Sequence, residues 1–301
     1  MQSMKKILIT GATGFVGKVL TRYLTEAGYE VRALLHSSPQ SPNLPMGIPV
    51  NVAVADLNDA RGLRSALVDV NVIYHLASEE RRGAEANLLR TDIQGTQTLI
   101  EAAQDAKIER FFYLSHLGAE RASAYPVLTA KAIAEDHIRK SSLNYTIIRT
   151  GLLFGKGDGF TTGLTKLLRL VPFFFFIPDG GETILQPLWV EDLVTALVWA
   201  LDDANTRRQT YEIGGPEFLT FSEIITTIME KLRLRKTFVS IRSPYLRMLT
   251  VLAEYFLPRP PVTTYWLDYL ATNHTCSLTA ISETFNLLPS RFRKRLDYLE
   301  D

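Results

Sequence analysis

The stretch KILITGATGFVG, residues 6–17, constrains the fold more than any other part of the chain. A short apolar run ends at Thr10, glycines follow at 11, 14 and 17, and apolar residues then recur at helical spacing until Gly28. Gly11 permits a tight turn, Gly14 lets the backbone approach a pyrophosphate, and Gly17 lets a helix pack closely on the strand before it. The helix N-terminus offers unpaired N–H groups and a partial positive charge to phosphates. Three glycines alone would be weak support, but here they end an apolar strand and open an amphipathic helix, which is the required context. Gly11, Thr13, Gly14, Phe15 and Val16 are the candidate phosphate contacts.

Further β-branched runs stand at 31–35, 50–56, 70–77, 110–115 and 145–154, with helical patterns at 87–106 and 126–142. This alternation argues an α/β fold with a doubly wound parallel sheet. Right-handed crossovers then give the strand order 3-2-1-4-5-6. Past residue 155 the alternation decays into a Pro/Phe segment, the helix WVEDLVTALVWAL, the strand YEIGG and a helix opened by Thr220 with Glu223 as a capping box. The expected division is a dinucleotide-binding domain at 1–155 and a smaller α/β lobe at 156–301, interleaved with the main sheet. The 301 residues carry a net charge of +1, so no strong field advertises nucleic acid. One cysteine, Cys276, excludes an internal disulfide and fits a reducing, cytoplasmic setting. The start MQSMKKILIT has a basic-then-apolar look, but its apolar run is too short for a signal peptide and reads as a buried strand. No stretch approaches the ~20 apolar residues needed to span a bilayer.

TGATGFVG on the first strand–helix turn resembles the extended and atypical branches of the short-chain dehydrogenase/reductase family. The likeness runs on through Asp56-Leu57, HLA (75–77), SHLGA (115–119), Lys131 with Glu135, IIRTGLLFG (147–155), QPLWVEDL (186–193) and YEIGGPE (211–217). It is nearest the NmrA-like members and the branch that includes the NAD(P)-binding accessory subunit of respiratory complex I. The resemblance implies a bound dinucleotide, with Asp56 and Leu57 at the adenine edge, Leu76, Ala77 and Ser115 beside the cofactor, and Lys131 on its ribose. It covers about the first 220 residues; residues 232–301 carry no recognisable motif.

An acid at the end of strand two would accept the ribose 2′-hydroxyl of NAD. Here the place reads His36-Ser37-Ser38, and no Asp or Glu occurs between Glu30 and Asp56. A carboxylate would repel a 2′-phosphate, whereas hydroxyls and an imidazole donate to it. NADP(H) is therefore favoured over NAD(H), with Arg32 as a further candidate contact unless strand alternation turns it away.

The family's catalytic set is a Ser or Thr after strand five and a Tyr–x–x–x–Lys on the next helix, where the lysine lowers the tyrosine pKa for proton transfer. Four residues before Lys131 stands Val127, which cannot transfer a proton. Tyr125 is six residues before Lys131, roughly 120° away around a helix, and Pro126 reads as the first helical residue. His116 falls at the catalytic Ser/Thr position, with Ser115 one earlier. Lys131, His116 and Tyr125 remain the catalytic candidates.

The five histidines and one cysteine have no metal-ligand spacing, so no metal is expected. VPFFFFIP (171–178) must be buried, cover a cleft or meet another surface. Residues 231–259 carry seven Lys/Arg against one acid, Glu254, and within them 244–257 reads as a helix with a narrow polar stripe at Arg247, Thr250 and Glu254. Both segments are candidates for docking on a protein complex or, peripherally, on the inner face of a membrane. Stacking platforms for RNA are not evident there. Three readings follow: an atypical dinucleotide-binding subunit with a structural, redox-sensing or assembly role; an active NADP-dependent reductase or epimerase on an apolar carbonyl; and an RNA- or membrane-complex assembly factor.

Overall fold

The computed structural model describes residues 5–37, 44–45, 47–256 and 262–300. In chain order the elements are β1 (Lys6–Thr10), α1 (Phe15–Glu26), β2 (Glu30–Leu35), β3 (Asn51–Val54), α2 (Ala60–Ala66), β4 (Val72–His75), α3 (Gly95–Asp105), β5 (Arg110–His116), α4 (Pro126–Lys140) and β6 (Tyr145–Thr150). There follow β7 (Leu153–Phe154), α5 (Thr161–Leu170), β8 (Phe174–Pro178), β9 (Ile184–Leu185), β10 (Leu188–Trp189), α6 (Val190–Asp202) and β11 (Gln209–Ile213). The last are β12 (Leu219–Thr220), α7 (Phe221–Lys231), β13 (Thr237–Ile241), α8 (Ser243–Phe256), α9 (Thr264–Tyr269) and α10 (Ala280–Phe285).

Seven strands form one sheet in the order β3-β2-β1-β4-β5-β6-β11. The pairs β1–β2, β1–β4, β2–β3 and β4–β5 are parallel. The order expected from the crossovers is thus present, with β11 added at one edge. The run 145–154 is not one strand: β6 stops at Thr150, and β7 resumes at Leu153 to pair with β10 instead. The helical stretch at 87–106 likewise divides, because Leu89–Gln94 winds as a π-helix before α3 begins. The capping box at Thr220 and Glu223 is formed.

The chain divides into two units. The first comprises residues 1–79, 87–149 and 193–212, and the second comprises 80–86, 150–192 and 213–301. In the first, Leu8, Leu34, Ile73, Phe111, Tyr113 and Ile147 point from the sheet into a core completed by Leu63, Leu99 and Ile138 of α2, α3 and α4. Residues of opposite parity build the other face, where Tyr74 stacks on Phe112 with ring centroids 4.5 Å apart. The Tyr74 hydroxyl donates to the Leu197 carbonyl of α6 at 2.9 Å.

Arg110 ties that face together. Its guanidinium is buried over the Phe112 ring and donates to the carbonyls of Leu201 and Asp203 and to the hydroxyls of Thr146 and Thr206, at 2.7–3.1 Å. Hydrogen bonds to a charged group contribute ~1.5–3 kcal/mol, and a buried acceptor left bare costs the desolvation it had escaped. Arg110→Met should therefore lower the unfolding free energy by about 3 kcal/mol in urea titration. A loss under about 1 kcal/mol would remove Arg110 from this role.

Candidate dinucleotide site

The turn after β1 is shaped by what its glycines leave out. Gly11 has φ +74°, and a Cβ there would lie 2.8 Å from the Ala77 nitrogen and the Leu76 carbonyl carbon. A Cβ on Gly17 would sit 2.1 Å from the Gly11 oxygen, so α1 is pressed onto the turn. Gly14 differs. Its backbone is extended (φ −74°, ψ 174°), its N–H donates to the Gly11 oxygen at 2.9 Å, and a Cβ would meet that oxygen alone, at 3.1 Å. The fold could nearly accept a side chain at 14, so its absence clears space for something outside the chain. Gly14 is the N-cap of α1, with no capping side chain and no acid in the first turn. The early N–H groups of a helix lack intrahelical acceptors, so this end is chemically suited to an anion. Thr13 is exposed, Phe15 half-buried and Val16 buried, so Val16 can offer only its backbone to a ligand.

Behind the turn lies a buried polar relay. The Thr10 hydroxyl meets His75 Nδ1 at 2.7 Å, and His75 Nε2 meets the Thr96 hydroxyl at 2.8 Å. Thr96 donates to the Asp92 carbonyl at 2.6 Å, so its oxygen accepts from His75 Nε2–H. Nδ1 must then accept from Thr10, whose oxygen in turn accepts the N–H groups of Leu76 and Ala77, both at 3.2 Å. Every proton has a place only if the imidazole is neutral. Burial and the nearby Lys131 charge agree, lowering the His75 pKa to about 3. Leu76 and Ala77 thus border the Gly11 turn with their main chain.

Asp92 sits in the π-helical turn, fully buried, with one carboxylate oxygen 3.6 Å from the buried Lys131 Nζ. Its other oxygen accepts the Glu79 N–H at 3.2 Å. Lys131 also lies 5.4 Å from the centroid of the Tyr113 ring. Asp92 is not among the candidates named from sequence, because the polar stretch RTDIQGT carries no sign of this pairing. Glu135, one turn after Lys131, faces elsewhere: its carboxylate binds Arg139 and Arg149 at 2.6–2.9 Å. Pro126 opens α4 and Tyr125 is its N-cap in an extended conformation, so the tyrosine stands outside the helix that carries Val127 and Lys131. Ser115 is buried with the parity of Phe111 and Tyr113, and its hydroxyl has no partner among the described residues. His116 ends β5 with a buried Nδ1.

Just past β3, Asp56 accepts from the backbone and side chain of Asn58 and pairs with Arg90 at 3.4 Å. These contacts, led by the Asn58 N–H, hold its carboxyl below the usual range. Leu57 packs against Gly95, where a Cβ would lie 2.8 Å from the leucine. His36 and Ser37 are exposed just past β2, while Ser38 lies outside the described residues. Arg32 corrects one expectation. Alternation along β2 turns its guanidinium to the end of α2, where it donates to the carbonyls of Ala66 (2.7 Å) and Val68 (3.0 Å) rather than toward His36 and Ser37. Among the described residues no group of three or more His, Cys, Asp or Glu could hold a metal ion.

A family profile described as NAD(P)H-binding matches residues 11–167, and the chain belongs to that family, among the atypical short-chain dehydrogenase/reductase proteins. It is 26% identical over 262 residues to the mitochondrial NADH dehydrogenase (ubiquinone) 1 alpha subcomplex subunit 9 of Arabidopsis thaliana, covering 84% of this chain and 64% of that one. It is 33% identical over 143 residues to the photosystem II assembly factor Ycf39 of Cyanophora paradoxa (48% and 44% covered). To the ceramide reductase of Caulobacter vibrioides it is 29% identical over 192 residues (64% and 59%). The chain thus spans less than two thirds of the length of these three relatives. Among solved structures, UDP-glucuronic acid 4-epimerase from Bacillus cereus, in complex with UDP-glucuronic acid and NAD, superimposes with a TM-score of 0.74 at 19% identity, covering 98% of this chain and 99% of that one. That likeness shows a shared fold.

The relay makes a pH prediction. His75 titrates near 6.5 when unfolded and about 3 when folded. As pH falls from 6.5 toward 3 the unfolded chain gains a proton that the folded chain refuses. Stability contributed above pH 6.5 is therefore lost by about 1.4 kcal/mol per pH unit through that window. Urea titrations between pH 7 and 4 should show a shallower decline for His75→Gln. Equal slopes would contradict a neutral buried imidazole.

Proposed function

We propose that the chain is an NADP(H)-holding subunit or assembly factor of a larger complex, with little or no dehydrogenase turnover of its own. The observation that carries this reading is Val127, one turn before Lys131 on α4, with Tyr125 left outside that helix. The first turn of α1 would hold the pyrophosphate and Lys131 a ribose. The dinucleotide, when bound, supplies a hydride donor or acceptor. The isopropyl side chain of Val127 cannot supply the proton that must accompany a hydride. Relatives described as a complex I subunit and a photosystem II assembly factor support a role within an assembly. Preference for NADP(H) rests on the absence of any acid between Glu30 and Asp56 and on the exposed donors His36 and Ser37. A single cysteine, Cys276, suits a cytoplasmic site of action.

A second reading, an active reductase, draws support from the similarity to a ceramide reductase and from the buried, unpartnered Ser115 hydroxyl. Turnover separates the two. General acid–base catalysis contributes about 10²–10⁴-fold, so oxidation of NADPH by ketones or aldehydes should stay near background. Lys131→Ala should weaken cofactor binding rather than abolish a rate. Steady turnover that survives Lys131→Ala and vanishes in His116→Ala would overturn the non-catalytic reading.

Calorimetry should find NADPH bound more tightly than NADH; equal or tighter NADH would remove the selectivity. Gly14→Asp sharpens the site assignment, because the same residue acts oppositely on fold and ligand. Aspartate is a favoured N-cap and glycine only slightly poorer, so the apo protein should keep its melting temperature or gain roughly a few tenths of a kcal/mol. Its carboxylate would oppose the phosphates and weaken NADPH at least about tenfold, roughly 1.4 kcal/mol. Unchanged affinity would show that the phosphates bind elsewhere.

A further inference from the structure

The helix α8 is inside out. Its polar stripe is turned toward the second unit: Thr250 is buried, Arg247 pairs with Asp268, and Glu254 accepts the Thr264 N–H at 2.7 Å. Gly83, in the left-handed region at φ +60°, gives Glu254 room, because a Cβ there would lie 2.1 Å from its carboxylate. At the start of the helix, Ser243 is bound through N–H and hydroxyl by Asp179. Apart from Arg247, whose side chain stays 54% exposed beside its Asp268 partner, what remains for the outside is apolar. Leu249 is 54% exposed, Leu252 48%, Tyr255 83% and Phe256 73%, with Tyr245, Met248 and Val251 beside them. Leu257, the last residue of the helix expected from sequence, lies outside the described residues. A soluble surface helix normally presents the opposite arrangement, and apolar patches of this kind mark interaction sites.

The segment leading into α8 repeats the theme. β13 pairs in parallel with β8, which buries Phe175 and Ile177 and exposes Phe174 and Phe176; Phe173 just before it is also exposed. The Pro/Phe segment is thus half core and half surface. Cations bracket these residues. Lys236 Nζ donates to the Val171 and Pro172 carbonyls at 2.5 and 2.7 Å. Arg233, Arg235 and Arg242 are exposed and have no ion-pair partner among the described residues.

We propose that α8 seats this unit on an anionic membrane surface, lying in the interface with its apolar face in the acyl boundary and the three arginines at the headgroups. An apolar, aromatic face with an exposed arginine directly before the helix and two more before β13 has the makings of an interfacial helix. Fourteen residues at 1.5 Å each give about 21 Å, too short to cross the ~30 Å hydrocarbon core. A second copy is the poorer occupant, because two-fold pairing through this face brings the same arginines together. The proposal does not rest on the cofactor reading.

The test is flotation of the full chain with vesicles of phosphatidylcholine, or of equimolar phosphatidylcholine and phosphatidylglycerol. The protein should float with the anionic vesicles, weakly with the neutral ones, and be released as salt rises. Replacing Arg233, Arg235 and Arg242 by alanine should weaken binding about fivefold for each arginine removed. Leu249→Asp with Leu252→Asp should abolish flotation while melting temperature and NADPH affinity stay unchanged. Failure to float with either vesicle would overturn the proposal, as would undiminished flotation of that double variant. Unfolding of the double variant would show the face to be core. Tyr255→Ser with Phe256→Ser, at the most exposed positions, must then still fold and lose flotation for the proposal to stand. A dimer that the aspartates split into monomers would assign the face to a second copy and overturn the membrane assignment.

Discussion

The first unit depends on the approach of the Gly11 turn to the main chain of Leu76 and Ala77. No Cβ fits between them, and the Thr10 hydroxyl joins the two sides by accepting both amides. That contact fixes the ends of β1 and β4 against each other and aims the start of α1. It also fixes what lies behind. Thr96 gives its proton to the Asp92 carbonyl and so accepts His75 Nε2–H, which leaves Nδ1 to accept the Thr10 proton. The turn, the neutral imidazole and the π-helical segment are one object, and Asp92 is carried on it into contact with Lys131.

This arrangement gives Lys131 an unusual setting. A buried ammonium is costly unless paired, and Asp92 supplies the pairing before any ligand arrives. The same lysine charge helps keep His75 neutral. Glu135, at the matching place one turn later, is occupied by Arg139 and Arg149 and serves to join α4 to β6. The charged residues of α4 are therefore divided between the buried Asp92 pair and the join to β6. The position that would carry a phenol holds an isopropyl group.

Most of the sheet was legible because its signal is periodic. Apolar runs of strand length between amphipathic stretches, with right-handed crossovers, leave few orders open, and β1 to β6 follow the expected one. The glycine turn was legible because backbone constraints act locally. What escaped was set by tertiary choice. Strand parity in β2 decided that Arg32 would cap α2, a job visible only once α2 is in place. The residues of the His75 relay are far apart in sequence, and nothing in TDIQGT marks Asp92 as the partner of Lys131. In α8 the sequence displayed a polar stripe but not its direction. The stripe faces inward because Asp268 and the Thr264 amide wait for it there. An amphipathic pattern specifies two faces, and only the rest of the fold says which one meets water.

The central claim is that the Gly11–Gly17 turn and Lys131 hold a dinucleotide. The most direct measurement is to purify the protein without added nucleotide, denature it, and identify what is released by chromatography and absorbance. The account predicts a dinucleotide in proportion to the chain, with NADP(H) exceeding NAD(H). Release of none, together with no uptake when NADPH is supplied, would contradict it.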